Sequence, residues 1–280
     1  MTAKTGIMAA IFLVAAGIGV AQAPELPATA IFLREAREAF TRSQEVWHQF
    51  AYRERSTELH LNPFGRMGTG AVRVFEVRPS PNPKLTYRRM IERNGVAISE
   101  VELRRQDAEY QSRIARFAPR DSNPGIAVSE RDLGEDLLAR KRARMIVEDV
   151  VATLEFEIVR REFRDGRPII VVSFAAKPDA RPVTREGRLA RVFRGQLWID
   201  EASREITNLK AVAIDDVSFG GFIAKVYEGT EAVVERREIE PGVWMPSLLT
   251  LSGDVRALFR TTRIDHVVEW SNYHRVEASR

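Results

Sequence analysis

Residues 195–214 read GQLWIDEASREITNLKAVAI, residues 220–239 GGFIAKVYEGTEAVVERREI, residues 241–253 PGVWMPSLLTLSG and residues 255–276 VRALFRTTRIDHVVEWSNYHRV. In each segment apolar residues alternate with polar ones or run together over strand lengths. Gly220-Gly221, Pro241-Gly242 and Gly253-Asp254 punctuate them, so four to five antiparallel strands are predicted here, forming an all-β sheet or open barrel. The same pattern extends upstream. Phe156 and Ile158 alternate with Glu155 and Glu157, Asp165-Gly166 turns the chain, and Ile169–Phe174 (IIVVSF) is apolar on both sides. A strand without a polar face is expected to be covered on both faces. Pro178–Gly187 reads as a polar loop.

The first half of the chain mixes helix and strand. Residues 28–45 place Ile31, Phe32, Ala36 and Phe40 at helical spacing, with arginines and glutamates on the other side, which predicts an amphipathic helix. Strands are predicted over Trp47–Leu61, Ala71–Val77 and Leu85–Arg93, followed by an Asn94-Gly95 tight turn. Ser99 with Glu102 forms a capping box that opens a helix reaching about Phe117. Ser129 with Asp132 is a second cap of this kind. The helix after it, Glu130 to about Thr153, carries Leu133, Leu137, Ile146, Val147, Val150 and Leu154 on one side and the basic tract Arg140-Lys141-Arg142-Ala143-Arg144 in its middle.

The whole chain sets bounds on function. It has 280 residues and 44% hydrophobic composition, enough for one sizeable core. Lys4 followed by the apolar run Gly6–Val20 and the small residues Gly19, Ala21 and Ala23 reads as a secretory signal, with cleavage expected after Ala21. This leaves residues 22–280 as a single expected domain, with a helical insertion at about 99–153. There is no cysteine. Disulfides, thiol catalysis, cysteine-ligated zinc and an N-acylated lipoprotein anchor are therefore excluded. The formal charge of +4, from 43 basic and 39 acidic residues, does not imply nucleic-acid binding.

No catalytic constellation with specific spacing occurs. G-x-S-x-G, S-x-x-K, H-E-x-x-H and Walker motifs are absent, and Gly65, Gly68 and Gly70 precede a strand rather than a helix, so a hairpin turn accounts for them. His48, His60, His266 and His274 form no cluster at metal spacing. Asp265 and His266 are neighbours in a strand and point to opposite faces, so they form no relay. No catalytic residue, cofactor or metal is expected. Two features rise above background. One is the apolar face offered by Phe156, Ile158, Ile170, Val172, Phe174, Leu197, Ile199, Val255, Phe259, Val268 and Trp270, which fits either a cavity lining or a filled core. The other is the tract Arg140, Lys141, Arg142 and Arg144, which suits an anionic surface or a partner and equally a solvated helix face.

Five segments carry a family likeness: Tyr87-Arg88-Arg89-Met90-Ile91-Glu92-Arg93-Asn94-Gly95, Phe193-Arg194-Gly195-Gln196-Leu197-Trp198-Ile199-Asp200, Tyr227-Glu228-Gly229-Thr230, Val243-Trp244-Met245-Pro246-Ser247 and Tyr273-His274-Arg275-Val276. Through them the chain resembles the outer-membrane lipoprotein carrier superfamily of LolA/LolB-like proteins, in particular the lipoprotein-sorting-protein branch. The resemblance implies an α+β fold in which a strongly curved antiparallel half-barrel holds helices on its concave face. It further implies a non-enzymatic periplasmic carrier of lipid acyl chains or lipoproteins, in contact with envelope membrane proteins and expected to be a monomer. The alternative expectation is a structural or protein-interaction module of the envelope with a filled core and no ligand. The long charged insertion departs from the pattern.

Overall fold

The computed structural model describes residues 25–61, 67–80, 85–117, 130–219, 224–257 and 260–276. In chain order the elements are α1 (Thr29–Val46), a 3-10 turn (Trp47–Gln49), β1 (Phe50–Leu61), β2 (Met67–Arg78), β3 (Tyr87–Arg93), β4 (Val96–Ala97), α2 (Glu100–Phe117), α3 (Glu130–Thr153), β5 (Leu154–Arg164), β6 (Arg167–Ala176), α4 (Arg185–Ala190), β7 (Phe193–Asp200), β8 (Ile206–Ala213), β9 (Val217–Phe219), β10 (Ala224–Val226), β11 (Glu231–Glu240), β12 (Val243–Ala257) and β13 (Arg260–Arg275). The signal-like segment and Phe259 lie outside the described residues.

All strand pairs are antiparallel. Eleven strands follow the order β4-β3-β2-β1-β13-β12-β11-β8-β7-β6-β5, with the β9–β10 hairpin attached to β12. The path is open, with β4 at one end and β5 at the other. The last strand therefore sits inside the sheet, where it joins the N-terminal meander to the rest. Directly paired residues share a face, and the register links Ile158, Val172, Leu197, Leu209, Val234, Leu249, Val268, Ser56 and Arg73 in one row across the sheet. Most of that row is aliphatic, and it defines the face that carries the core.

Strand β6 is fully covered: Ile170, Val171 and Val172 are each 0% exposed. On the core face, Phe32 and Ala36 of α1 join Leu154, Ile170, Val172, Phe174, Leu197, Ile199 and Ala211 in one cluster. On the other face Val171 lies between its cross-strand neighbours Arg160 and Trp198. There the indole of Trp198 donates to Glu162 at 2.9 Å and the Arg164 guanidinium stacks on it 4.8 Å from the ring centre. Among the described residues, long side chains and not a second layer of helices dry that face. A separate aromatic cluster of Tyr52, Phe75 and Val77, with Trp47, Met90, Trp270 and Tyr273 against it, occupies the core face at the β1–β3 end.

Several expectations need correction. Ile31 is 52% exposed, while Phe32, Ala36, Ala39 and Ser43 form the buried stripe of α1. Gly253-Asp254 lies within β12 and is no turn. A side chain at Gly253 would overlap Thr230, whose Cα and Cβ would sit 2.7 Å from it, so close approach is what requires the glycine. The expected polar loop contains α4, which begins after Thr184. Leu154 starts β5 rather than ending α3. The Asn94-Gly95 and Asp165-Gly166 turns have positive φ at both residues, 51° and 79°, and 49° and 76°, as two-residue hairpins demand. Helix α2 lies by β3, next to the end of the sheet, where Asp107 accepts from the Tyr87 hydroxyl at 2.7 Å and Gln106 bonds the Met90 backbone.

Charge fixes α1 in place. Arg236 on β11 and Glu205 before β8 form an ion pair at 2.9 Å, with side chains only 6% and 5% exposed. The Ser43 hydroxyl of α1 donates to the second Glu205 oxygen at 2.5 Å. Arg236 also donates to the carbonyls of Ile206 and Trp244 and stacks on Phe40 of α1. Burial pushes the Arg236 guanidinium down in pKa, and Glu205 beside it opposes that shift. Removing one partner strands the other in a dry site. Arg236→Met should therefore cost about 3–5 kcal/mol in urea unfolding, and the double variant with Glu205→Leu should recover a large part of it.

Candidate functional site

Between α1, α3, α4 and the β5–β8 end of the sheet lies a cavity of about 700 Å³. Each wall follows from local sequence. Helix α3 turns Ile146, Val147, Val150 and Val151 toward it, positions that fall on one side at 3.6 residues per turn. Helix α1 adds Leu33, Ala36 and Phe40, and α4 adds Leu189 and Ala190. The floor is the core face of the sheet: Leu154, Phe156, Phe174, Phe193, Leu197, Ile199, Ile206, Leu209, Ala211 and Ala232. The rings of Phe156 and Phe174 lie 6.4 Å apart. Phe174 reaches across β7 because residue 195 is glycine; a Cβ there would stand 2.8 Å from the ring and 2.9 Å from the Ala211 Cα.

Among the described residues, charged side chains border this cavity at Arg34, Arg37 and Glu186, and all three are exposed. Among the described residues, the inner walls are hydrocarbon. A second depression of about 630 Å³ on the opposite face is different in kind, with Glu155, Glu157, Arg194, Gln196 and Lys210 around small Ser173 and Ala175.

The α3–α4 wall is held by one carboxylate. Asp149 accepts from the backbone N–H of Val183 at 3.1 Å and of Thr184 at 2.8 Å, and from the Thr184 hydroxyl. That same hydroxyl caps α4 by accepting from the Gly187 N–H at 2.9 Å. Gly187 lets the helices touch, since a Cβ at this position would overlap the Asp149 carboxylate and lie 2.8 Å from Pro182.

Of the residues singled out in the sequence, Phe156, Phe174, Leu197 and Ile199 border the cavity. Ile158, Ile170 and Val172 belong to the packed cluster beside it. Val268 is buried on β13, Trp270 packs in the aromatic cluster, and the side chains of Val255 and Arg140 lie outside the described residues. Lys141, Arg142 and Arg144 are exposed on α3, and Arg144 pairs with Glu148 at 3.0 Å. Sequence reasoning left out the α1 and α4 walls. Leu33 and Phe40 follow the helical stripe, but α4 is six residues long and gives almost no periodic signal. His266 hydrogen-bonds Ser56 at 2.8 Å, whereas His274 is exposed near the Asn272 carbonyl. Among the described residues no group of three or more His, Asp or Glu side chains is arranged to hold a metal ion.

No family model and no curated protein matches the chain. It is similar to several solved structures. One is a putative outer membrane lipoprotein-sorting protein domain from Vibrio parahaemolyticus, 8% identical over 90% of this chain and 95% of that one, TM-score 0.40. Another is a LolA superfamily protein from Nitrosomonas europaea, 11% identical over 87% and 94%, TM-score 0.33. A third is a DUF1329 family protein from Desulfovibrio piger, 12% identical over 88% and 94%, TM-score 0.33. At such scores and identities the likeness gives no residue-by-residue correspondence.

Hydrogen bonds from Thr184, against a smaller opposing effect of burial, hold the Asp149 carboxyl below its ordinary pKa. A depressed folded pKa contributes stability that is present above the unfolded value and lost as pH falls through the folded one. Asp149→Asn should therefore lower the melting midpoint at neutral pH, and its gap from the parent should close below about pH 4. Thermal melts of both proteins across that range check this.

Proposed function

We propose that the protein is a non-enzymatic periplasmic carrier or binder of lipid acyl chains or lipoproteins. The observation that carries this reading is the hydrocarbon-walled cavity of about 700 Å³ between the helices and the sheet. Its volume lies within the range of ligand pockets, yet among the described residues its lining has none of the convergent polar groups that recognition of a small polar molecule requires. An acyl chain needs none: each buried methylene contributes about 0.8 kcal/mol. In this reading the open sheet wraps as a half-barrel about the helices, residues 22–280 work as one monomeric domain, and the signal-like segment at 1–21 directs export.

Purified, delipidated protein should take up a fluorescent fatty acid at micromolar concentration, and native mass spectrometry of protein prepared without detergent should show a co-purifying lipid or lipopeptide mass. Ala190→Trp, which places a large ring in the cavity, should weaken uptake at least about tenfold while leaving the melting midpoint within a few degrees. A bare mass together with no uptake of fatty acid or lipopeptide would sink the carrier and favour a structural or interaction module of the envelope.

A further inference from the structure

The outer side of the α3–α4 wall differs in chemistry from its inner side. Lys141, Met145 and Glu148 lie on the side of α3 away from Ile146, Val147 and Val150, with Arg142 and Arg144 flanking. One turn on from Met145, Asp149 holds Val183, so the loop before α4 lies alongside this surface. Met145 is 49% exposed and Val183 73% exposed, and cations surround them: Arg181, Arg185 and Arg188 from the α4 side are exposed like Lys141 and Arg142. The acids here are largely engaged. Glu148 pairs with Arg144, and Asp149 is taken up by Val183 and Thr184. Glu186 borders the cavity, and Asp179 is exposed two residues before Arg181.

From this arrangement we infer that the outer face of α3 and α4 docks on an anionic phospholipid surface, with Met145 and Val183 entering the headgroup layer among the cations. Positive charge alone would suit any acidic partner. Unbranched and small apolar side chains left in water between the cations are what an interfacial surface buries, while the cations remain at headgroup depth. Attraction by such a surface falls off within a Debye length, so the cations have to lie on the contacting face itself, as these do. The docking does not depend on what fills the cavity. Its use, bringing the cavity wall to a bilayer, rests on the acyl-chain reading.

The experiment is flotation of the purified protein with vesicles of phosphatidylcholine alone and of phosphatidylcholine with phosphatidylglycerol in equal parts. Binding is expected only to the anionic vesicles and should weaken as salt rises. Lys141→Gln combined with Arg142→Gln should reduce partitioning roughly thirtyfold, from the removal of two surface-facing cations. Met145→Ser with Val183→Ser should reduce it further at high salt. Thermal melts of the same proteins report that each variant is folded, and fatty-acid uptake, measured alongside, keeps the two proposals apart. Equal binding to both kinds of vesicle, or full binding by the Lys141→Gln/Arg142→Gln variant, overturns the docking; so does capture by an acidic protein with none by anionic vesicles. Loss of fatty-acid uptake with vesicle binding intact counts against the cavity reading alone.

Discussion

A guanidinium taken out of water must find its charge and its hydrogen bonds inside the protein, and Arg236 finds them in Glu205, two backbone carbonyls and the face of Phe40. The pair ties β11, β12 and the start of β8 together, and through Ser43 it reaches α1. Such a pair adds little net stability compared with apolar side chains of the same shape, because desolvation of both ions opposes their attraction. What it adds is position. An aliphatic face accepts a helix in many registers, whereas the carboxylate oxygen beside Ser43 accepts one. A second link, Arg204 bonded to Glu35 at 2.8 Å and stacked on Phe32, sets the other end of the helix.

With α1 positioned by polar contacts at its margins, the space next to it can remain hydrocarbon. The opposite wall is assembled on the same plan. Asp149 joins α3 to the loop and helix that follow β6, and Gly187 removes the Cβ that would keep them apart. Apolar residues face the cavity from both sides, and each helix is located by a carboxylate that lies outside it. The groups that define the shape of the cavity therefore stand apart from its apolar lining.

Much of this architecture was legible in the residues. Asn94-Gly95 and Asp165-Gly166 fix hairpins through local backbone preference, and the Ser99 cap sets the start of α2 within the chain itself. Period-two alternation located β5 and an unbroken apolar run located β6, while the four to five strands expected over residues 195–276 are seven in the structure, β7 to β13. What escaped was set by tertiary contact. Gly253 looks like punctuation because a glycine needed for close packing against Thr230 has the same letter as one needed for a turn. The buried role of Arg236 was hidden inside VVERREI, where one arginine points to the core and its neighbour does not. Cavity and core share one alphabet, so Phe174 beside the cavity and Ile170 in packed interior cannot be separated without coordinates. The face opposite α1 on β6 was expected to be covered, but that a tryptophan and arginines cover it depends on β5 and β7 being its neighbours.

The position of β13 has a kinetic meaning. Its residues pair with β12 on one side and with β1 on the other, and Phe50 meets Arg275 across more than two hundred positions of chain. Strands β5 to β8 form local hairpins and close short loops, which is fast. Among the described residues the meander of β1 to β3 joins the body of the sheet through β13 alone, which comes last in the order of strands. Until β13 arrives, β1 presents an open edge and the Tyr52 aromatic cluster lacks Trp270 and Tyr273. The pairings that join the two parts of the sheet are thus its longest-range ones, and loop-closure entropy sets them apart from the local hairpins that a single strand brings together with them.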